Sequence, residues 1–362
     1  SLLIADQKEY IASIAGLILN ITSYGAIILL VTYTQRYLTA LAFNIVVEVL
    51  LNLWISWYVE KKYPFLHEMR KEKSSPHLTS RIMKDLKSLF ISRVSEKMLN
   101  CTDNLIISGF IGVATVGRYA NYSMITQAII NILTILANTI QPTIGDCFTE
   151  KNYRRNYEIL RQITFVFFCI SCVVAVGLFS LITPFVRDIW LGPSYELGWG
   201  TAVLCIVVLM VKIMGLPLNM VMGVTGLFEK EKNVGASSAI LNLVVSLALV
   251  KPYGMTGVLL GTLVSYLLQI CYRYIIFFRD FLQMREEALR YARDLGEYLA
   301  VMAAEVALMQ KVVPIVYGNG GMVLFCICFL LCILVPLALD AVFFGRGWRL
   351  QSIVRMVRGM RR

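Results

Sequence analysis

Charged residues are scarce in this chain. Only 16% of its 362 residues are Asp, Glu, Lys or Arg, whereas soluble domains carry about 25%. The polar stretches between the apolar blocks are also too short to fold as soluble domains of their own. This shortage of charge excludes an ordinary soluble globular protein.

Histidine and nucleotide-binding motifs are equally scarce. His67 and His77 are the only histidines, and both lie in one basic, polar stretch. The chain has no GxxxxGK[ST] loop, no HExxH motif and no Ser/His/Asp set. Most schemes of acid–base catalysis near neutral pH are thereby removed. We predict that the protein is not an enzyme and has no cofactor.

The nine cysteines do not form a convincing metal or redox motif. Nearly all lie in apolar runs, and the CxxC pair Cys169 and Cys172 lies within FVFFCISCVVAV. No histidine or second CxxC accompanies this pair. We therefore interpret these cysteines as small buried apolar side chains and predict no metal site.

Apolar residues, in contrast, make up 58% of the chain and occur in blocks of the length that crosses a bilayer as a helix. The sequence predicts an all-α integral membrane protein with about ten transmembrane helices. Their predicted spans are 8–33, 36–58, 86–112, 118–147, 160–186, 198–223, 235–251, 254–278, 296–316 and 321–344.

The net charge of +11 is distributed in a way that favours a membrane topology over a nucleic-acid surface. Every second loop is rich in Lys and Arg, as in the stretches 61–87, 279–293 and 346–362. The loops between them carry few basic residues: Arg36, Arg118, Arg187 and Lys251. Basic loops face the cytoplasm, so we predict that both ends of the chain are cytoplasmic. The charged segments 149–160 and 281–294 are predicted to be short helices at the inner surface.

Two predicted membrane helices carry polar stripes. At about 100° per residue each set of polar residues falls on one face. A charge at a helix centre costs about 2.5–3.5 kcal/mol, so such a face meets protein or water. The stripes form either a wet substrate cavity or an internal salt-bridge network. Their members are Arg93, Glu96, Lys97, Asn100, Asp103 and Asn104, then Ser123, Gln127, Asn131, Thr134, Asn138 and Gln141.

Lys212 is a single cation within an apolar run, and Asn219 lies on the same predicted helix face. Lys212 is a candidate for binding a phosphate. The alternatives are that it is neutral or that it pairs with Glu48 or Asp103. Glu48 lies between Asn44 and Asn52, which marks an interior face whose function is either substrate binding or pairing with a lysine.

Small residues predict one close helix pair. Gly257 and Gly261 are four residues apart, a spacing that lets helices approach closely. Gly254 follows Pro252 and predicts a tight outer turn between the seventh and eighth helices.

Several segments resemble the polysaccharide-biosynthesis or oligosaccharide-flippase branch of the multidrug/oligosaccharidyl-lipid/polysaccharide flippase superfamily. They occur in the family's order over most of residues 1–280. The segments are SLLIADQKEY (1–10), DNLIISGFIGVATVGRYANY (103–122), IQPTIGD (140–146), IWLGPSY (189–195) and NLVVSLALVKPYGMTGVLLGTLVSYL (242–267).

The resemblance implies a fold like that of multidrug and toxin extrusion (MATE-like) transporters, with two six-helix bundles and two extra C-terminal helices. Four N-terminal helices of that template would be absent from this chain. The implied parts are the end of the first bundle (1–58), a basic cytoplasmic linker (59–85), the second bundle (86–279), a surface helix with two extra membrane helices (280–345) and a basic cytoplasmic tail (346–362).

The resemblance also implies a function. Such a protein would flip an undecaprenyl-pyrophosphate-linked oligosaccharide across the bacterial cytoplasmic membrane for capsule, O-antigen or exopolysaccharide export. A H⁺ or Na⁺ gradient or the membrane potential would drive it, and a polysaccharide polymerase and a chain-length regulator are candidate partners. The candidate cavity residues are Arg93, Lys97, Asn100, Asp103, Gln127, Asn131, Asn138, Lys212, Asn219 and Glu48.

Three other functions compete with this hypothesis. A cation-coupled exporter of cationic drugs would have an acidic cavity with few basic residues, which Lys212 argues against. A polysaccharide polymerase or ligase would carry a large outer loop with catalytic side chains, and the predicted outer loops are short. The third alternative is a truncated remnant without transport activity.

Overall fold

The structure is a computed structural model that describes residues 9–63, 83, 90, 94, 97–98, 101–148, 152–225, 227–318 and 320–345. These residues form helices and turns, and no strand occurs among them. The chain divides into two compact units, Ser1–Met83 and Lys84–Arg362. The boundary falls inside the predicted linker 59–85, most of which lies outside the described residues.

The first unit contains a helical hairpin. Helix α1 (Glu9–Thr34) and helix α2 (Tyr37–Lys62) are joined by two residues and contact each other along their length. The turn is made at Gln35, whose φ of 51° ends α1 in the left-handed region. Ser23 donates a hydrogen bond to the side-chain oxygen of Asn44 at 3.2 Å across the hairpin. Most of the large apolar side chains are exposed, as expected of surfaces that face lipid.

The second unit is a larger helical bundle. Its first continuous described segment is α3 (residues 101–110), which a turn at Gly112 separates from the next helix. The later helices are α4 (Val113–Phe148), α5 (Tyr153–Pro184, extended by a π-helical turn Phe185–Trp190), a 3₁₀ turn (Pro193–Tyr195), α6 (Trp199–Val224), α7 (Phe228–Ile275, extended by a π-helical segment Ile276–Leu282), α8 (Arg285–Tyr317) and α9 (Met322–Phe344).

Helices α5 and α6 form the centre of this bundle. Helix α6 contacts α4, α5 and α7, and α5 also contacts α8 and α9. Aromatic side chains fill the junction of α5, α8 and α9, where the ring of Phe168 stacks on Tyr298 at 4.3 Å and lies edge-on to Phe344. Such ring pairs add to the stability that apolar contact provides.

Helix α7 is a hairpin folded at Gly254. This residue has φ 57° and ψ −136°, a backbone conformation that residues with a Cβ atom strongly disfavour. The two arms then lie against each other so closely that a Cβ atom at Gly257 would overlap the carbonyl of Leu249. A Cβ at Gly261 would likewise overlap the Ser246 hydroxyl. The tight turn and the close helix pair predicted from the sequence are both present.

The two charged segments differ from the prediction of separate surface helices. Helix α5 begins at Tyr153, after Asn152 has capped it by accepting a hydrogen bond from the Arg155 amide at 3.1 Å. Helix α8 runs without a break from Arg285 to Tyr317. The reason is tertiary packing, because the residues before the apolar part of α8 include Tyr291, which is buried against the bundle.

Seven described helices are long and apolar enough to cross a membrane. They are Tyr37–Lys62, Val113–Gly145, Tyr153–Trp190, Trp199–Val224, Val234–Leu282, Arg285–Tyr317 and Met322–Phe344. The prediction of an all-α, multi-pass membrane protein is confirmed for this part of the chain. The count of about ten stays a prediction, since much of the predicted span 86–112 lies outside the described residues.

Candidate functional site

The second unit encloses a polar cavity of about 60 Å³ between α3, α4, α6 and α7. A volume of this size holds a few water molecules or a small ion. In an otherwise apolar bundle, so many polar groups around one small space mark a candidate functional site. Its polar lining consists of Asp103, Asn104, Tyr119, Ser123, Thr126, Gln127, Lys212 and Thr262.

Asp103 is the buried acid of this cavity, with 5% of its surface exposed. The Thr262 hydroxyl lies 2.9 Å from each of its carboxylate oxygens and donates to them. The side-chain amide of Asn242 in turn donates to the Thr262 oxygen at 2.9 Å. This chain of hydrogen bonds joins α3 to both arms of α7. The amide oxygen of Asn242 has no hydrogen-bond partner among the described residues.

Lys212 is the cation of the same cavity. It lies on α6, and its Nζ atom is 4.6 Å from the centre of the Tyr266 ring, a cation–π distance. Of the two acids considered as partners, Asp103 lines the same cavity and attracts Lys212 electrostatically. Glu48 belongs to the other unit, where it is exposed and its backbone carbonyl accepts a hydrogen bond from Asn52 at 2.9 Å.

The polar stripe of α4 has two parts. Ser123 and Gln127 line the cavity, whereas Asn131 and Asn138 are exposed further along the helix. The last member, Gln141, lies against Gly223 of α6, where a Cβ atom would overlap its amide. The stripe therefore connects the cavity to an accessible polar surface.

Among the other predicted site residues, those that the structure describes in the second unit are absent from the cavity lining. Lys97 and Asn219 are exposed. Arg93 and Asn100 lie outside the described residues. Of the ten candidates, the structure thus brings together Asp103, Gln127 and Lys212.

An apolar groove of about 610 Å³ lies on the opposite side of α6. Its walls come from α5, α6, α7 and α8. The side chains that α6 presents to the groove are Trp199, Val203, Val207, Met210, Val211, Met214 and Leu218. Those that it presents to the polar cavity are Cys205, Val208, Leu209 and Lys212. Helix α6 therefore separates the polar cavity from the apolar groove.

Comparison with known proteins bears on the same region. Residues 6–148 match the family model described as "Polysaccharide biosynthesis protein", over less than half of the chain. The family resemblance is confirmed. Among solved structures the chain is similar to "Lipid II flippase MurJ, inward closed conformation", with a TM-score of 0.67 and 14% identity. That likeness covers 95% of this chain and 69% of the other, and it establishes the fold. No curated protein sequence matches.

The part that matches the polysaccharide-biosynthesis family contains α1 to α4. It includes Asp103 and Gln127 of the cavity, while Lys212 and Thr262 come from the part of the chain beyond it.

Sequence reasoning missed two sets of residues. Thr262 and Asn242 were not candidates, because a single hydroxyl or amide in a membrane helix is common. Cys172, Glu305 and Asp340 were also not assigned to a site, yet their ligand atoms lie within 4.8 Å of one another. Glu305 and Asp340 carried a usable signal, since each is an acid within an apolar helix.

Proposed function

We propose that this protein is a flippase for a lipid-linked oligosaccharide and not an enzyme. The observation that carries the proposal is the position of α6 between a cavity containing Lys212 and a large apolar groove. A polyprenyl pyrophosphate glycan likewise has a polar and an apolar part, namely an anionic head and a long apolar tail. The confirmed family resemblance supports this assignment.

Each part of the substrate has a matching surface in the second unit. The ammonium group of Lys212 attracts the pyrophosphate, and the exposed amides of Asn131 and Asn138 offer hydrogen bonds to sugar hydroxyls. The cavity of about 60 Å³ is too small for an oligosaccharide. Lys212 therefore acts from the cavity wall, while the glycan lies along the polar face of α4 and the tail stays in the groove or in lipid.

The proposed biological setting is the one implied by the family. The substrate would be an undecaprenyl-pyrophosphate-linked repeat unit for capsule, O-antigen or exopolysaccharide, moved across the bacterial cytoplasmic membrane by alternating access. A polysaccharide polymerase and a chain-length regulator would act on the product. The count of about ten membrane helices with both chain ends in the cytoplasm, and the MATE-like arrangement, belong to the same proposal.

A flipping assay in proteoliposomes tests the proposal. The substrate is a fluorescent polyprenyl-pyrophosphate glycan, and a membrane-impermeant reductant bleaches the molecules that reach the outer leaflet. We expect the chain to accelerate flipping and Lys212→Gln to slow it by about tenfold or more, because a charge-assisted hydrogen bond contributes about 1.5–3 kcal/mol.

Lys251→Gln is the matched control, since Lys251 is exposed at the end of the first arm of α7. Its rate should equal that of the unchanged protein, and both variants should reach the same membrane abundance. Equal flipping by Lys212→Gln and the unchanged protein would remove Lys212 from the substrate path. Export of cationic compounds without flipping of the pyrophosphate lipid would identify a drug exporter instead.

A further inference from the structure

A second cluster of ionisable groups lies where α5, α8 and α9 meet. It consists of Cys172 on α5, Glu305 on α8 and Asp340 on α9. The thiol and one oxygen of each carboxylate lie within 4.8 Å of one another. The exposed fractions are 0% for Cys172, 2% for Glu305 and 3% for Asp340. Three helices that are distant in sequence therefore direct ligand-type atoms into one enclosed point.

The two carboxylates have no ordinary hydrogen-bond partner. All four of their oxygens are buried, and none has such a partner among the described residues. A thiol lies beside each of them, Cys172 beside Glu305 and Cys169 beside Asp340. A thiol is only a weak hydrogen-bond donor. The two carboxylates thus lie close together without the strong hydrogen-bond donors that buried carboxylates normally have.

The surroundings make this arrangement unfavourable unless something positive is bound. On one side lies an apolar cluster that includes Val176, Met309 and Val313. The charge that acts on Glu305 is that of Asp340, whereas the thiols of Cys172 and Cys169 act only as hydrogen-bond donors to Glu305 and Asp340. Two like charges in an apolar interior repel each other strongly. Either protons or a cation must compensate them.

We propose that Cys172, Glu305 and Asp340 form a buried binding site for a divalent transition-metal ion of the Zn²⁺ class. Sulfur is a soft ligand, which disfavours Na⁺, Mg²⁺ and Ca²⁺ and favours Zn²⁺ or Co²⁺. Zn²⁺ accepts cysteine sulfur and carboxylate oxygen in one tetrahedral site at about 2.0–2.3 Å. Cys169, one turn before Cys172 on α5, is the available fourth ligand.

The site would act as a clamp. Glu305 and Asp340 belong to the C-terminal pair α8 and α9, whereas Cys172 belongs to the central helix of the bundle. A bound divalent ion would offset two of the negative charges of its carboxylate and thiolate ligands and would fasten this pair to α5. The proposal is independent of flipping, since none of these residues lines the cavity of Asp103 and Lys212.

Metal binding by the full, tag-free chain in lipid nanodiscs tests the site. The protein is stripped with a chelator, dialysed against Zn²⁺ or Co²⁺, and analysed by mass spectrometry of the metal. We expect about one tightly bound ion per chain. With Co²⁺ a thiolate charge-transfer band should appear in the near ultraviolet, and Zn²⁺ should raise the melting temperature because it binds the native state.

Conservative variants separate this site from incidental binding. Glu305→Gln, Asp340→Asn and Cys172→Ser should each weaken Zn²⁺ binding by at least about tenfold, and Cys172→Ser should reduce the cobalt–thiolate band to the contribution of the Cys169 thiolate. The controls are Glu297→Gln, an exposed acid on α8, and Cys332→Ser, a buried thiol on α9 outside the cluster.

The proposal is overturned if the unchanged protein retains no metal after dialysis, in which case the two acids are held together by protons. It is also overturned if Glu305→Gln and Asp340→Asn bind Zn²⁺ as tightly as the controls do. The melting temperature of each variant, measured with and without Zn²⁺, distinguishes loss of the site from misfolding. Zn²⁺ should raise the melting temperature of both control variants and of neither carboxylate variant.

Discussion

At the scale of single residues, the chemistry of the second unit is concentrated in a few polar groups within apolar helices. Asp103 and Lys212 are opposite charges on the wall of one small cavity. The Thr262 hydroxyl adds an oxygen atom 2.9 Å from the Asp103 carboxylate, and the amide oxygen of Asn242 is buried without a hydrogen-bond partner among the described residues. Oxygen atoms of this kind are ligands for hard cations, and a carboxylate also accepts a proton. We therefore propose that a Na⁺ or H⁺ gradient, if it drives flipping, acts at Asp103.

Asp103→Asn is expected to uncouple flipping from ion gradients. The amide is isosteric and still accepts a hydrogen bond from Thr262, but it neither binds a proton nor contributes a negative charge. In proteoliposomes, the unchanged protein should flip faster when a Na⁺ or H⁺ gradient is imposed, and Asp103→Asn should flip at one rate in all conditions. Asp188→Asn, which alters the half-exposed pair with Arg187, is the control. A variant that keeps the full response to the gradient would place coupling elsewhere.

At the scale of helices, the hairpin of α7 illustrates how glycine sets the distance between two arms. Gly257 and Gly261 lie on one face and meet the backbone and side chains of the first arm. The Ser246 hydroxyl donates to the Val258 carbonyl at 3.2 Å, a bond that requires this short separation. The hairpin in turn places Thr262 beside Asp103.

Gly261→Ala should destabilise the protein by about 2 kcal/mol, because its methyl group would overlap Ser246 and force the arms apart. Gly177→Ala on α5 is the matched control, since nothing lies within 4 Å of its new Cβ atom. That change should be neutral or stabilising by up to about 1 kcal/mol, because alanine favours a helix over glycine. Thermal unfolding in detergent measures both. Equal melting temperatures for the two variants would contradict the close approach.

A buried ion pair links α5 to α8. The guanidinium of Arg161 lies 2.6 Å from the Asp294 carboxylate, with side-chain exposures of 20% and 9%. Next to it, the hydroxyls of Thr164 and Tyr291 form a hydrogen bond of 3.0 Å between the same helices. These contacts explain why α8 extends as one helix onto the bundle instead of starting with a separate surface helix.

Asp294→Asn should lower stability by about 3 kcal/mol, because it removes the carboxylate charge that lies against the Arg161 guanidinium in a mostly buried position. The comparison is Glu158→Gln, which removes an exposed partner of Arg154 at 4.0 Å. Exposed pairs contribute about 0–1 kcal/mol, so this variant should unfold nearly as the unchanged protein does. The ranking of the two melting temperatures decides whether the Arg161 pair anchors α8.

At the scale of the whole molecule, the chain is a multi-pass helical membrane protein whose fold is similar to that of the lipid II flippase MurJ. The distribution of Lys and Arg predicts which turns face the cytoplasm. The turn at Gly192 is short and poor in basic residues, whereas the turn at Gln283 lies between Arg279 and Arg285. These two turns should therefore lie on opposite sides of the membrane.

Alkaline phosphatase fusions test this orientation, because the enzyme is active only outside the cytoplasm. A fusion after Pro193 should be active, and a fusion after Gln283 should be inactive. A cytoplasmic fluorescent reporter at the same two positions should give the reverse result and controls for expression. Activity after Gln283 would reverse the predicted topology of the second unit.

Much of the fold could be predicted because it depends on local composition. The apolar blocks specify the helices α4, α5, α6 and α9, and Gly254 specifies the fold of α7, since a tight turn requires that backbone conformation. Lys212 could be identified because a cation in an apolar run has few acceptable environments. The uninterrupted course of α8 could not be predicted from the sequence, because it depends on contacts of Asp294 and Tyr291 with α5.

The sequence by itself determined that the protein lies in a membrane, how its basic loops alternate and which polar residues are costly to bury. Only the tertiary structure decided which of these residues meet. Thr262 contacts Asp103 across 159 positions of the chain, and Cys172, Glu305 and Asp340 come from three separate helices. Helical periodicity reports the face on which a residue lies, but the neighbour of that face is set by the packing of helices that are remote in sequence.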